Sequence, residues 1–255
     1  MEQYQPPRYT LLPEVTKHLL IINILAFFGT WVLESRLHID IVRHLALYPF
    51  SSPLFRPYQL ITHMFLHGSL THLFFNMFAL WMFGSVVERI LRRQRYLLYY
   101  FLTGMGAAFL HLLVQEFQIR PLLAELSAAV NVPPGELLAA LPASLRDAAY
   151  ALIKAGVPQE SGIQLARLLF TPTVGASGAV FGLLLAFGWM FPNSYVYIYF
   201  FFPMKAKYFV ILYGVLELWF GIQGNPLDHI AHFAHVGGML FGIILLKVWK
   251  VRKII

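Results

Sequence analysis

A serine and a histidine, far apart in the chain, have the residue types of a nucleophilic pair. Ser177 lies in the run Gly-Ala-Ser-Gly and His235 in the run Ala-His-Val-Gly-Gly, each at the start of an apolar stretch. A neutral imidazole can take the proton of a serine hydroxyl near pH 7, which makes the oxygen a nucleophile for acyl transfer. Polar side chains in hydrocarbon are costly unless they are paired or face water, so the two positions predict a functional site.

The sequence does not indicate a clear acidic partner for the histidine. Glu217 and Asp228 are the nearest carboxylates, and neither has a helical spacing that aims it at His235. We therefore expect a Ser-His dyad. Phe181 lies one turn after the serine and could orient the imidazole by ring packing, although a core or lipid-facing phenylalanine is an alternative interpretation.

Acyl transfer also needs hydrogen-bond donors for a developing oxyanion. His72 and Asn76 are four residues apart in an apolar run, which puts both side chains on one face of a helix. Asn76 has an amide that must be satisfied inside the membrane. The two residues are candidate oxyanion donors, and hydrogen bonding between helices is the alternative explanation for the asparagine.

Glycines flank both members of the candidate pair. Gly175 precedes the serine, Gly178 and Gly182 follow it, and Gly238 and Gly242 follow the histidine. Small residues four apart let membrane helices pack backbone to backbone. They predict a close approach of two helices at the site, with ordinary packing as the alternative.

The composition indicates the class of protein. Of 255 residues, 58% are hydrophobic, 16% are aromatic and only 12% are charged, which is too apolar for a soluble domain. We expect an all-α, polytopic membrane protein. The chain has no cysteine, which excludes disulfides, thiolate metal sites and a cysteine nucleophile.

Hydropathy predicts six spans, and the even number puts both termini on the same side. The spans are roughly 17–35, 70–90, 96–117, 176–191, 207–222 and 230–248. Basic residues cluster on one face of this arrangement, at Arg8, Lys17, Arg89, Arg92, Arg93, Arg95, Lys205, Lys207, Lys247, Lys250, Arg252 and Lys253. The positive-inside rule makes that face cytoplasmic, and a bacterial plasma membrane is the simplest location.

The fourth span is too short to cross a bilayer completely. From Ser177 to Pro192 it offers about 15 residues, or about 22 Å, against a hydrocarbon thickness of about 30 Å. Ser177 is therefore expected several ångströms below the outer surface. His235 precedes the cytoplasmic Lys247 by about 12 residues, or about 18 Å, so the serine and the histidine should share one depth.

In their order and placement, these motifs resemble those of the rhomboid family of intramembrane serine proteases. The resemblance implies that Ser177 is the nucleophile and His235 the general base and then acid. It implies an oxyanion hole formed by His72, Asn76 and the backbone N–H of Ser177. The implied substrates are transmembrane helices of other proteins, cleaved within membrane lipid without a metal or an organic cofactor.

The resemblance divides the chain into segments. They are a cytoplasmic segment 1–16, core spans 17–117, an extracytoplasmic helical insert 118–170, core spans 171–250 and a cytoplasmic tail 251–255. It also implies a reentrant first loop with His63 and His67, and a structural glutamate at Glu88. The family often has a Trp-Arg pair in this loop, whereas Pro57-Tyr58-Gln59 stands here, so the anchoring of the loop should differ.

Lateral access from lipid requires a gate, for which span five and the loop 223–226 are candidates, with Trp219 and Phe220 as gate residues.

Two other classes of protein stay open. One is a non-catalytic rhomboid-like protein that binds membrane segments. The other is a metal protein, whose candidate ligands are His63, His67, His72, His229, His232 and His235. We expect no nucleic-acid partner, and the sequence does not decide the oligomeric state.

Overall fold

The computed structural model describes residues 12–198, 201–223 and 230–254, and most of these are helical. The first five helices are α1 (Glu14–Leu37), α2 (Ile41–Leu45), α3 (Gln59–Thr62), α4 (Leu70–Ala79) and α5 (Ser85–Val130). A 3-10 turn (His63–Phe65) follows α3, and a π-helical turn (Leu80–Gly84) joins α4 to α5. The remaining elements are α6 (Pro134–Ala140), α7 (Leu145–Lys154), α8 (Gln159–Phe170), α9 (Ser177–Met190), β1 (Tyr195–Ile198), β2 (Phe202–Lys205), α10 (Ala206–Gln223) and α11 (His232–Val248).

The second and third spans meet at Arg92. This residue has φ 63° and ψ 163°, a non-helical conformation that interrupts α5 within the predicted link between the two spans. After the break the helix continues to Val130, thirteen residues beyond the predicted end of span three at residue 117, and stops at Asn131 in the left-handed conformation. The helix therefore extends well beyond the predicted third span.

The last turns of α5 form a second hydrophobic core with α6, α7 and α8. Its buried members include Ile119, Leu126, Leu152, Leu165 and Leu169. The segment is helical, with breaks at Pro133 and Gly156. Its interpretation as an insert stays a prediction.

One part of the all-α prediction was wrong. Strands β1 and β2 form an antiparallel hairpin between α9 and α10, with Tyr195 opposite Lys205 and Val196 opposite Met204. The run Tyr-Val-Tyr-Ile consists of β-branched and aromatic residues, which favour extended pairing over a helical continuation.

Among the residues that the structure describes, two helical stretches are long and apolar enough to cross a membrane by length and composition, Glu14–Leu37 and Leu70–Val130, the second of which is interrupted at Arg92. The apolar helices α9 and α11 are shorter, at 14 and 17 residues. Exposed apolar side chains cover much of α1 and α10, as expected of helices that face lipid. The count of six spans remains a prediction.

Helices α5, α9 and α11 form the centre of the main bundle. Tyr99 of α5 is fully buried, and its hydroxyl donates a hydrogen bond of 2.8 Å to the carbonyl of Gly182 in α9. The carboxylate of Glu88 accepts hydrogen bonds from the backbone N–H groups of Val15 and Thr16 and from the hydroxyl of Thr16. These bonds satisfy first-turn N–H groups of α1, so Glu88 fixes α1 against α5.

Candidate active site

The structure brings Ser177 and His235 together. The serine Oγ lies 2.8 Å from Nε2 of the histidine, which is a direct hydrogen bond. Ser177 is the first residue of α9, and His235 lies in the first turn of α11 and is 8% exposed. The ring of Phe181 stacks on the imidazole, with centroids 4.2 Å apart and planes 5° from parallel. The pair is therefore formed by two helix starts and held from one side by an aromatic face.

Glycines set the distance between the two helices. A Cβ atom at Gly238 would overlap the carbonyl oxygen of Gly178 and lie 2.8 Å from its carbonyl carbon. Farther along, a Cβ at Gly242 would meet the hydroxyl of Tyr99 at 2.5 Å, and one at Gly182 would lie 2.7 Å from Cβ of Thr103. Helices α9 and α11 thus touch through their backbones, one residue after the serine and three after the histidine.

The segment before the serine is positioned by the first loop. Thr173 and Leu47 exchange backbone hydrogen bonds of 2.9 and 3.0 Å, and Gly175 donates its N–H to the carbonyl of His63 at 2.9 Å. Gly175 has φ 124°, a conformation that a side chain rarely adopts, and a Cβ there would lie 2.8 Å from the ring of His72. Glycine at this position allows both the turn into α9 and the approach of the imidazole.

The candidate oxyanion donors are the side chains of His72 and Asn76 in α4 and the backbone N–H of Ser177. His72 contacts the Gly175 position, and its ring meets that of His67 edge-on at 5.1 Å. Asn76 is 5% exposed and donates one amide hydrogen to the carbonyl of His72 at 3.0 Å. An amide nitrogen carries two hydrogens, so one more donor remains at this nitrogen. The backbone N–H of Ser177 precedes the hydrogen-bond ladder of α9 and adds a further donor.

Glu217 belongs to the site, although its helical spacing did not aim it at His235. Its Oε2 atom lies 2.8 Å from Nδ1 of His235 and 2.7 Å from Nδ1 of His232. The expectation that no carboxylate reaches the histidine was therefore wrong. Helical spacing relates residues within one helix, whereas Glu217 lies on α10 and reaches across to α11. The other candidate, Asp228, falls outside the described residues.

The same three side chains are the part of the described chain that could hold a metal ion. One ligand atom from each of Glu217, His232 and His235 lies within 4.8 Å of the others. His63 is used elsewhere, since its Nδ1 pairs with the carbonyl of Gln59 at 2.7 Å. His229, a further candidate ligand, is not among the described residues.

The candidate gate residues lie near the end of α10. Trp219 is 59% exposed and Phe220 is 45% exposed, so much of each aromatic surface is free of protein contact. The ring of Phe220 also packs against that of His232, with centroids 5.7 Å apart. The candidate loop at 223–226 lies outside the described residues from position 224 onward.

The first loop is anchored by Gln59, which lies where the family often has a Trp-Arg pair. The side chain is fully buried and donates to the carbonyls of His44 and Leu54, while its oxygen accepts the N–H of Arg56. The neighbouring Tyr58 is half exposed, as suits a residue at a headgroup level. Burial lowers the pKa of His63 to about 4, and burial together with the neighbouring His72 does the same for His67.

Fold and site together define a helical protein with membrane-length apolar helices and a buried Ser-His pair. A family model described as the rhomboid domain matches residues 55–130 and 137–250. The chain belongs to the rhomboid family, whose members are membrane proteins that act on transmembrane segments of other proteins.

A curated relative agrees with this assignment. The chain is 26% identical over 216 residues to an uncharacterized mitochondrial rhomboid protein of Schizosaccharomyces pombe, covering 78% of this chain and 53% of the relative. The chain therefore spans about half the length of this relative. Because the relative is described as mitochondrial, the expected bacterial plasma membrane has no support from it.

Proposed function

We propose that this protein is an intramembrane serine endopeptidase that hydrolyses peptide bonds in or near transmembrane helices of other proteins. The observation that carries the proposal is the 2.8 Å hydrogen bond between Ser177 Oγ and His235 Nε2 at two helix starts in an apolar bundle. Membership of the rhomboid family supports it. A serine bonded to an imidazole has a proton acceptor already in place.

The reaction follows from the positions of these atoms. As the Oγ of Ser177 attacks the carbonyl carbon of the scissile bond, its proton passes to Nε2 of His235. The resulting imidazolium then gives that proton to the leaving amine nitrogen while the carbon–nitrogen bond breaks, which leaves an acyl-serine. Water then attacks the ester and gives its proton to the same Nε2. The serine regains a proton when the acid product leaves.

The developing oxyanion needs donors on the side of the carbonyl away from the base. The backbone N–H of Ser177, the second amide hydrogen of Asn76 and the ring of His72 are the donors proposed for this charge. Their support is the contact of His72 with Gly175 and the burial of Asn76. Loss of one such donor typically costs about 10²- to 10³-fold in rate.

The proposed arrangement in the membrane has six spans with both termini cytoplasmic. The site then lies below the outer surface, since α9 has only 14 residues. A substrate helix approaches sideways past α10, where Trp219 and Phe220 form the proposed gate. Substrates are transmembrane proteins, and lipid is the surrounding solvent.

A fluorophosphonate probe tests the proposal directly, because it phosphonylates an activated serine and needs no known substrate. Detergent-solubilised wild type should be labelled, and Ser177→Ala and His235→Ala should not be. Ser127→Ala is a matched control, since Ser127 is another buried serine, near the end of α5. Absence of labelling in the wild type, under conditions where another rhomboid protease reacts, would favour a non-catalytic protein that binds membrane segments.

The proximity of Glu217, His232 and His235 favours one second candidate, a metal-dependent protein. In that case a chelator would abolish cleavage of a substrate, and Ser177→Ala would still cleave it. Both treatments belong in the same experiment. Loss of labelling on serine substitution together with resistance to chelator supports the serine mechanism.

A further inference from the structure

The face of α10 that packs on α11 has a repeating pattern. Gly214, Glu217 and Gly221 are spaced three and four residues apart and so lie on one side of the helix. A Cβ at Gly214 would lie 3.2 Å from the methyl group of Met239, and one at Gly221 would lie 3.1 Å from the ring of Phe233. Glu217 thus lies between two close approaches to α11, where it is held against that helix.

The carboxylate of Glu217 restricts the histidines that it touches. A carboxylate accepts hydrogen bonds and donates none, so Nδ1 of His235, 2.8 Å away, must carry the hydrogen. In the neutral imidazole that leaves Nε2 without a hydrogen, with its lone pair directed at the hydroxyl of Ser177 2.8 Å away. Nε2 is then able to accept the serine proton.

The stacking of Phe181 cannot supply this restriction. A parallel ring 4.2 Å away fixes the plane of the imidazole, yet it leaves free both the rotation of the ring within that plane and the choice of tautomer. The carboxylate fixes both the rotation and the tautomer, and its negative charge stabilises the positive charge that forms on the ring during proton transfer. The two neighbours of His235 therefore have separate effects.

We propose that Glu217 is a positioning residue for His235, so that the site works as a Ser-His-Glu triad. The inference rests on the proposed serine protease function. It has a further consequence because Glu217 is carried by α10, in which Ala206 and Val210 are the buried residues among those described. The tautomer and orientation of His235 then depend on how α10 packs against α11, and α10 is the helix proposed to move when a substrate enters.

The alternative role of Glu217 is to latch α10 to α11 without an effect on the chemistry. The variant Glu217→Gln separates the two roles, because glutamine keeps the size of the side chain and loses the charge. The matched control is Glu116→Gln, the same change at a buried carboxylate of α5 outside the site, where it accepts hydrogen bonds from Ser51 and Arg120. Two rates are measured for each variant, labelling by a small fluorophosphonate and cleavage of a transmembrane substrate.

As a positioning residue, Glu217 should affect both rates through the chemical step. Loss of a hydrogen bond to a charged group predicts that Glu217→Gln lowers the rate of labelling by about 10- to 150-fold. In the cleavage assay, kcat should fall and KM should change little. Glu116→Gln should label at close to the wild-type rate. Thermal unfolding in detergent verifies that each variant is folded, and if Glu217→Gln unfolds, Glu217→Asp replaces it, since the shortened carboxylate keeps the charge but not the contact.

Labelling of Glu217→Gln at the wild-type rate would overturn the inference, whatever happens to substrate cleavage. A change in substrate cleavage alone, with Glu116→Gln unaffected, would identify a latch. These results differ from failure of the proposed function, in which wild-type protein is not labelled or Ser177→Ala is labelled equally.

Discussion

The substitution Gly238→Ala should separate the two helices that carry the proposed catalytic pair. Its Cβ would overlap the carbonyl oxygen of Gly178 and lie 2.8 Å from the carbonyl carbon, whereas nonbonded carbon atoms normally stay about 3.5 to 4.0 Å apart. Because backbone atoms lie on both sides of the contact, no side chain can rotate away. The helices must move apart by about 1 Å at this point.

That movement has two measurable costs. Overpacking of a well-packed interior typically destabilises by about 1–3 kcal/mol, which should lower the thermal unfolding temperature in detergent. The contact lies three residues from His235 and one from Ser177, so their hydrogen bond of 2.8 Å lengthens as well. A misplacement of about 1 Å can cost about 100-fold in rate, and we expect labelling and cleavage to fall by this order.

The assay compares fluorophosphonate labelling and thermal unfolding of wild type, Gly238→Ala and a matched control. Gly29→Ala is that control, because it makes the same change within α1 where no atom lies within 4 Å of the added Cβ. The control should label like the wild type. Normal labelling and normal unfolding of Gly238→Ala would refute the argument that backbone contact between α9 and α11 sets the geometry of the pair.

Three further predictions concern other parts of the molecule. Replacing Asn76 by alanine should reduce substrate cleavage about 10²- to 10³-fold, with only a small change in unfolding temperature. A large fall in unfolding temperature together with the loss of cleavage would instead indicate a structural asparagine. Replacing both Trp219 and Phe220 by alanine should raise cleavage of a transmembrane substrate, and an unchanged rate would count against the gate. His63 and His67 bind protons in the unfolded chain below pH 6.5 but in the folded chain only near pH 4. Lowering the pH to 5 should therefore reduce the free energy of unfolding by about 2 kcal/mol for each histidine. Unfolding temperatures that match at pH 7 and pH 5 would contradict this.

The sequence predicted the residues of the Ser-His pair because both lie next to glycines at helix starts, and local patterns of this kind need no knowledge of the fold. Glu217 was missed because its partner lies on another helix. A signal was present nonetheless: it is a carboxylate inside an apolar helix, between Gly214 and Gly221 at helical spacing. An ionisable residue in such a helix is a functional candidate by itself, and the glycines indicate the face that packs.

Two features of the fold could not be predicted from hydropathy. Helix α5 continues to Val130 because its last turns are covered by α6, α7 and α8, and such tertiary burial is not visible in the local pattern. The hairpin of β1 and β2 depends on pairing between residues four to ten positions apart in the chain. In both cases contacts between elements, and not local preferences, decide where an element ends.

The shortness of α9 explains how polar chemistry can exist at this depth. Its 14 residues span about 21 Å, less than the hydrocarbon thickness of about 30 Å, so the chain before Ser177 runs without helical hydrogen bonds. Non-helical backbone at membrane depth is tolerated only where protein or water satisfies it. Here Leu47 of the first loop exchanges two backbone hydrogen bonds with Thr173, and the carbonyl of His63 accepts the N–H of Gly175. In the proposed membrane arrangement, the first loop therefore replaces lipid around the serine.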